Sequence, residues 1–253
     1  MALPTIFFVP GAWHETWVFD DVRSALSNRG FETDVSALPT VGSDTSIGVF
    51  EDAAVVRPAL LKLVDAGKEV VIVSHSYGGI VAANSVRGLS IDQRTADSKA
   101  GGIMIFLYLA AFAIPADMSL LMAFENVFPS WWNVTEDRSV MTPIDPGNVF
   151  YADVKPPALV AKAVAALKPV PFQIVTEKST YAPFHEAFEV GYIFAEKDRA
   201  LPVGVQRGMF AQFPAGSFSA SLESSHSPFL SMPDALADAI QDAVNHIRAK
   251  KSH

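Results

Sequence analysis

The amino-acid sequence predicts an α/β protein built on a mostly parallel six-stranded sheet with helices on both faces. Three observations predict this fold class. Short, nearly continuous apolar runs alternate with helical patterns along the 253 residues, and such runs are typical of parallel strands buried on both faces. Half of the residues are apolar. A chain of this length can bury a full core without disulfides.

The predicted elements follow one another as strand and helix. We expect strands over residues 5–10, 31–38, 69–75, 101–112, 189–196 and 217–224. We expect helices over residues 17–30, 50–67, 78–88 and 232–250. The first two helices end at Gly30 and Gly67, and glycine commonly terminates a helix because it adopts the left-handed conformation without strain.

One segment breaks this alternation. Residues 113–188 are rich in proline and aromatic side chains and show no clear strand. A structureless loop of that length is uncommon in a compact domain. We therefore predict a helical cap insertion at 113–188, with its clearest helix at 157–167, on a core formed by residues 1–112 and 189–253.

The composition disfavours several classes of binding partner and cofactor. A net charge of −8 disfavours nucleic acids and anionic membranes. No cysteine is present, which excludes disulfides and thiolate metal sites. The histidines show no metal-ligand spacing, so neither a metal nor an organic cofactor is expected. We read no signal peptide, and we expect a cytoplasmic protein with a small-molecule substrate; a homodimer is compatible with the sequence.

The stretch VVIVSHSYGGIVA, residues 70–82, is the first candidate for chemistry. It nearly matches G-x-S-x-G, the strand-to-helix turn that exposes a nucleophilic serine. Ser76 takes the nucleophile position, but Ser74 stands where the first glycine is usual. Taken alone, the stretch also fits a plain strand-to-helix turn.

Two later segments strengthen the catalytic interpretation. Glu196 and Asp198 follow the fifth predicted strand, and His226 follows the sixth. A serine nucleophile needs a base and a group that orients the base, and open α/β sheets place such groups at the carboxyl ends of their strands. Each residue alone also fits a solvated loop, but their order matches the order serine, acid, histidine.

The loop after the first strand is placed to lend a backbone N–H to the site. It begins Pro10-Gly11-Ala12-Trp13, and Gly11 would let the chain pass close to a ligand. The second donor would be the N–H of Tyr77, directly after Ser76.

Six segments together resemble the α/β-hydrolase superfamily, in particular its compact branch of plant methylesterases and hydroxynitrile lyases. They cover nearly the whole chain: FFVPGAWHETWVFDDV, VVIVSHSYGGIVA, LYLAAFAIPADMSLL, VFYADVKPPALVAKAVAAL, YIFAEKDRALP and SSHSPFLSMPDALADAI. The resemblance implies an α/β-hydrolase fold. It implies Ser76 as nucleophile, His226 as base and Asp198, rather than Glu196, as the orienting acid.

The resemblance also implies Ala12 and Tyr77 as the backbone donors of an oxyanion hole. It places Trp13 and His14 near the pocket mouth, although plain loop packing explains both equally well. Relatives usually carry His-Gly where this chain has Pro10-Gly11. The backbone donor survives that difference.

The substrate contacts are expected from the loop after the first strand and from the cap aromatics. The expected contacts are Gly11, Trp13, His14, Phe124, Phe128 and Trp131. An aromatic-rich cap favours an apolar substrate, although most of these rings are expected to form the core of the cap itself.

Three functions remain open at this stage. The first is a carboxylesterase-like hydrolase that acts on ester or lactone bonds through an acyl-enzyme. The second is a lyase that uses the same residues on a small carbonyl compound. The related lyases carry a lysine directly after the histidine, whereas this chain has Ser227, so hydrolysis is preferred. The third is a small-molecule receptor that retains the fold.

Overall fold

The computed structural model describes residues 2–186 and 188–251; Met1, Ala187, Ser252 and His253 lie outside the described residues. The described strands, numbered in chain order, are β1 (Thr5–Val9), β2 (Thr33–Val35), β3 (Glu69–His75), β4 (Gly102–Leu109), β5 (Trp132–Val134), β6 (Val140–Pro143), β7 (Val170–Pro171), β8 (Val190–Ala195) and β9 (Phe218–Leu222).

The helices are α1 (Asp20–Asn28), α2 (Val49–Asp65), α3 (Gly78–Ser85), α4 (Ile91–Ala96), α5 (Leu120–Ala123), α6 (Pro146–Phe150), α7 (Pro157–Ala166), α8 (Gln173–Thr176), α9 (Val203–Phe210), α10 (Pro228–Ser231) and α11 (Pro233–Lys250). Short 3₁₀ turns lie at Thr16–Phe19 and Pro183–His185. Among the described residues, no helix is long and apolar enough to cross a membrane.

The central sheet confirms the predicted fold class. Its six strands lie in the order β2-β1-β3-β4-β8-β9, and each described pairing is parallel. Within the sheet, β2 lies on one side of β1 and β3 lies on the other, and α2 connects β2 to β3. Since crossovers between parallel strands are right-handed, α1 and α2 lie on opposite faces of the sheet.

The apolar strands form the core. Phe7 of β1, Ile72 of β3, Leu107 of β4 and Ile193 of β8 are fully buried. The register pairs Val9 with Ser74. This register brings the carboxyl ends of β1 and β3 side by side, where the loops that follow them meet.

The segment predicted as a cap, residues 113–188, lies between β4 and β8 and is called the cap below. It contains α5 to α8, and the helix expected at 157–167 is present as α7. It also contains an antiparallel sheet in the order β5-β6-β7 that the sequence did not predict. These strands are only two to four residues long. Pro143 and Pro171 end two of them, and proline in a run argues against a strand.

Candidate active site

Ser76 sits on a strained turn between β3 and α3. Its φ of +52° lies in the left-handed region, which residues other than glycine rarely adopt and which is often found at functional sites. The turn is closed by two glycines. A Cβ at Gly78 would lie 2.4 Å from the carbonyl oxygen of Pro10, and one at Gly79 would lie 2.7 Å from that of Phe112. The close approach of strand and helix therefore requires glycine at both positions.

Ser74 explains the missing first glycine of the motif. Its side chain is fully buried, and its Oγ donates to the carbonyl oxygen of Leu107 on β4 at 3.0 Å. The hydroxyl thus makes a bond to the neighbouring strand that glycine would lack. The turn accommodates serine here without loss of its shape.

Asp198 and His226 meet at the carboxyl edge of the sheet. The loops after β8 and β9 bring the Oδ2 of Asp198 to 2.7 Å from the Nδ1 of His226, and both side chains are buried. The carboxylate also accepts from the N–H groups of Ala200 and Leu201 at 2.8 and 2.9 Å and from Gln206 Nε2 at 3.2 Å. These donors fix the carboxylate, which in turn fixes the imidazole.

Glu196, the alternative acid, points elsewhere. Its Oε1 accepts from Arg207 and Ser221 at 2.6 Å each, in a half-buried ion pair. Among the described residues, His226 bonds to Asp198 and not to Glu196.

The expected nucleophile and the expected base are not hydrogen-bonded to each other. No hydrogen bond links the Ser76 hydroxyl to His226 within the described chain, and Nε2 is the imidazole nitrogen that Asp198 leaves available. Such contacts are often long in a ligand-free site and tighten when the substrate binds.

The loop after β1, residues 11–14, lies directly against Ser76; we name it the oxyanion loop after the role that the sequence predicts for it. A Cβ at Gly11 would lie 2.9 Å from both the Ser76 Cβ and the His75 Nδ1. Trp13 is left-handed, with a φ of +67°. Gly11 therefore lets the loop backbone approach the nucleophile more closely than a larger residue would allow.

A small, partly enclosed cavity opens at this edge. Ser76, Ala12 and Tyr77 all line it. The structure thus brings the expected nucleophile and both expected backbone donors to one cavity.

The cavity walls are apolar. Of the expected substrate contacts, Trp13, Phe124 and Trp131 line the cavity. The sequence analysis did not single out the other wall residues, which are Phe112, Leu120, Trp132, Ile174 and Val175. Phe112 follows the end of β4, the position at which a parallel sheet places its site, and that position was the available signal.

Three expected contacts lie outside this cavity. Gly11 instead allows the loop backbone to lie close to Ser76. Phe128 packs in a second layer, with its ring centroid 6.1 Å from that of Trp132 and 5.6 Å from that of Phe172. His14 is buried, and both of its ring nitrogens bond to protein atoms.

His75 is a site residue that sequence reasoning missed. Its Nε2 donates to the carbonyl oxygen of His226 at 2.9 Å, and its ring lies 4.6 Å from that of His226. Burial, with the neighbouring His226 and His14, lowers the pKa of His75 well below its usual range. The neutral ring therefore anchors the backbone of the loop that carries His226.

Asp52 is a second missed residue. Its carboxyl is fully buried behind Tyr77, and the Tyr77 hydroxyl donates to its Oδ2 at 2.8 Å. Burial raises the pKa of Asp52 to about 6, although hydrogen bonds from Thr40 and Tyr77 act in the opposite direction. The signal was an acidic residue on the buried stripe of α2, which includes Val49 and Val56.

No group of three or more His, Cys, Asp or Glu side chains within residues 2–186 and 188–251 is arranged to hold a metal ion. The site consists of a strained serine at a strand-to-helix turn, a histidine bound to a carboxylate, and an apolar cavity on a parallel sheet. This fold and this order of residues define an enzyme of the α/β-hydrolase class.

The chain belongs to the alpha/beta hydrolase family, whose model matches residues 6–239. It is similar to an alpha/beta hydrolase of Aspergillus novofumigatus, with 27% identity over 247 residues that cover 96% of this chain and 97% of that protein. It is also similar to a pyrethroid hydrolase of Sphingobium wenxiniae, with 26% identity over 257 residues that cover 96% of this chain and 88% of that one.

Solved structures share the fold. The structure of a methylesterase from Arabidopsis aligns with a TM-score of 0.76 and 22% identity, and the alignment covers 96% of this chain and 99% of that one.

Proposed function

We propose that this protein is a serine hydrolase that cleaves a small apolar or aromatic carboxylic ester or lactone through an acyl-enzyme. The observation that carries the proposal is the position of Ser76. Its strained turn lines an apolar cavity at the sheet edge where Asp198 holds His226. Membership of the hydrolase family and similarity to a pyrethroid hydrolase support ester hydrolysis.

The first half-reaction acylates Ser76. Its Oγ attacks the carbonyl carbon of the ester while its proton passes to Nε2 of His226. The carbonyl oxygen becomes an oxyanion, which the N–H groups of Ala12 and Tyr77 stabilise. Collapse of this intermediate breaks the bond to the leaving oxygen, and His226 returns the proton to it.

The second half-reaction uses water. His226 takes a proton from a water molecule, whose oxygen attacks the acyl carbon, and the acid leaves as Ser76 recovers its proton. Asp198 keeps the proton of the neutral imidazole on Nδ1 and stabilises the imidazolium that forms in each half-reaction. A lactone follows the same steps, with its leaving hydroxyl retained on the acyl chain.

The cavity walls support an apolar substrate. Among the residues that the structure describes, no charged side chain lines the cavity. Two of its polar groups are already engaged, because the Tyr77 hydroxyl bonds to Asp52 and the Trp13 Nε1 bonds to the carbonyl oxygen of Met141. A charged substrate would therefore lose its hydration without gaining an ion pair.

The test is turnover of p-nitrophenyl acetate and butyrate by the wild type and by Ser76→Ala. We expect turnover by the wild type and its loss in the variant. Ser85→Ala is the matched control, since Ser85 is also buried and its hydroxyl bonds within α3, to the carbonyl oxygen of Val81. Equal, slow rates in the wild type and Ser76→Ala would refute the proposal and favour a receptor.

A second measurement examines the covalent intermediate. A fluorophosphonate should label Ser76 stoichiometrically, as detected by the mass of the peptide that contains it. Labelling of another serine, with Ser76 unmodified, would contradict the assignment of the nucleophile.

A further inference from the structure

The cap holds the oxyanion loop at three points. The Trp13 Nε1 donates to the carbonyl oxygen of Met141 at 3.2 Å. The N–H of Lys168 donates to the carbonyl oxygen of Trp13 at 3.0 Å. The Tyr151 hydroxyl lies 2.8 Å from Nε2 of His14. A left-handed residue such as Trp13 persists only where its surroundings hold it, and here the cap supplies those contacts.

The direction of the His14 hydrogen bonds follows from their partners. The Nδ1 of His14 lies 2.7 Å from the carbonyl oxygen of Ala12, and a carbonyl oxygen only accepts, so Nδ1 carries the proton. Burial, together with the neighbouring His226, lowers the pKa of His14 to about 4, although the hydrogen bond to the Ala12 carbonyl acts in the opposite direction. The ring is therefore neutral near pH 7, its Nε2 accepts, and the Tyr151 hydroxyl donates to it.

We infer that Tyr151 and His14 are positioning residues, which hold the Ala12 peptide so that its N–H points at the developing oxyanion. The inference rests on the proposed function, in which Ala12 supplies one oxyanion donor. An oxyanion donor acts only when it lies about 2.7–3.1 Å from the oxygen. The carbonyl and N–H groups of Ala12 flank the same Cα, so a bond that fixes one limits the rotation of the other.

The same stretch of the cap also holds the loop that carries His226. The Oγ of Ser225 donates to the carbonyl oxygen of Phe150 at 3.1 Å and to the carboxylate of Asp153. Residues 150–153 thus bind the loops on both sides of the cavity. The cap is part of the catalytic framework, because lifting it as a rigid lid would release both loops.

The main test is Tyr151→Phe, which removes only the hydroxyl. We expect kcat for p-nitrophenyl butyrate to fall roughly 5–50-fold, less than the loss of a whole oxyanion donor, while KM changes less than roughly threefold. Affinity for a trifluoromethyl ketone, whose adduct with Ser76 carries an oxyanion, should weaken by the same factor. Affinity for butyrate, the product, should not change.

Tyr192→Phe is the matched control. Tyr192 is as buried as Tyr151, and its hydroxyl donates to the carbonyl oxygen of Ala111 at 2.7 Å. If Tyr151→Phe lowers kcat no more than Tyr192→Phe does, or if it changes only KM, the inference is wrong. The His14→Asn variant, which keeps an amide donor near the Nδ1 position, should retain more activity than His14→Leu.

Hydrogen–deuterium exchange separates this inference from the proposed function. Backbone amides of residues 11–14 should exchange at least several-fold faster in Tyr151→Phe than in the wild type, and Tyr192→Phe should leave them unchanged. Unchanged exchange in Tyr151→Phe would overturn the inference even if Ser76 proves to be the nucleophile. Faster exchange would support the positioning of the loop by Tyr151 even if the wild type fails to cleave esters.

Discussion

Replacing Asp52 with asparagine is expected to stabilise the protein progressively as the pH rises. Asp52 is fully buried. Its carboxyl accepts from the N–H and Oγ1 of Thr40 at 3.0 and 2.8 Å and from the Tyr77 hydroxyl at 2.8 Å. In the described part of the chain, no lysine or arginine pairs with it.

The sign follows from the raised pKa. Burial raises the pKa of Asp52 from 3.8 to about 6, so the folded state holds this proton more tightly than the unfolded chain does. The resulting stabilisation is fully present below pH 3.8 and is lost as the pH rises through about 6. At 1.36 kcal/mol per pH unit, the full loss is about 3 kcal/mol, and roughly two-thirds of it falls between pH 4.5 and 7.5.

The assay is urea unfolding of the wild type and Asp52→Asn at pH 4.5, 5.5, 6.5 and 7.5, followed by tryptophan fluorescence. The free energy of unfolding of the variant, relative to the wild type, should rise by about 2 kcal/mol across this range. Rearranged hydrogen bonds to Thr40 and Tyr77 add an offset that does not depend on pH. Asp242→Asn, an exposed change on α11, serves as the control and should show no such rise. A flat or falling difference for Asp52→Asn would refute the reasoning.

Three further outcomes are expected. Asp198→Asn should lower kcat roughly 10²–10⁴-fold, whereas Glu196→Gln should leave it nearly unchanged; the reverse order would mean that the acid is misassigned. Gly78→Ala should lower stability by roughly 1–3 kcal/mol and abolish turnover, because its Cβ would meet a carbonyl oxygen at 2.4 Å. Gly204→Ala is the control, since the new Cβ would meet open space there, and it should keep the melting temperature of the wild type. Ser74→Gly should keep turnover but lower the free energy of unfolding, measured by chemical denaturation, by about 1–2 kcal/mol. A more stable variant would show that the buried hydrogen bond of the Ser74 hydroxyl does not stabilise the fold.

The core could be predicted from the sequence because its strands are buried on both faces. Residues 70–73 form an apolar run, and β3 has the predicted bounds of 69–75. The edge strand β2 is shorter than its predicted run, since a half-exposed edge carries a weaker pattern. The order of Ser76, Asp198 and His226 along the chain was visible because each follows a predicted strand that the structure contains.

The cap resisted prediction for a physical reason. Its strands β5 to β7 are stabilised by pairing with one another and by their aromatic neighbours, not by local propensity. The rings that face the cavity differ from those that face the interior of the cap only in their three-dimensional placement. Trp131 and Phe128 look alike in sequence, yet only Trp131 lines the cavity. His14 likewise revealed its role only through Tyr151, which lies 137 residues away.

The apolar cavity has a consequence for selectivity. Indole and phenyl walls recognise a guest by its size and shape, and one methylene group in such a pocket is worth only roughly 10–200-fold in kcat/KM. A pocket built on hydrogen bonds can reject an analogue far more strongly, because the wrong guest leaves polar groups unpaired. The walls formed by Trp13, Phe112, Phe124, Trp131 and Trp132 should therefore give graded preferences along a homologous series of esters. An enzyme of this kind should also accept compounds other than its natural substrate, provided that they are apolar and fit the cavity.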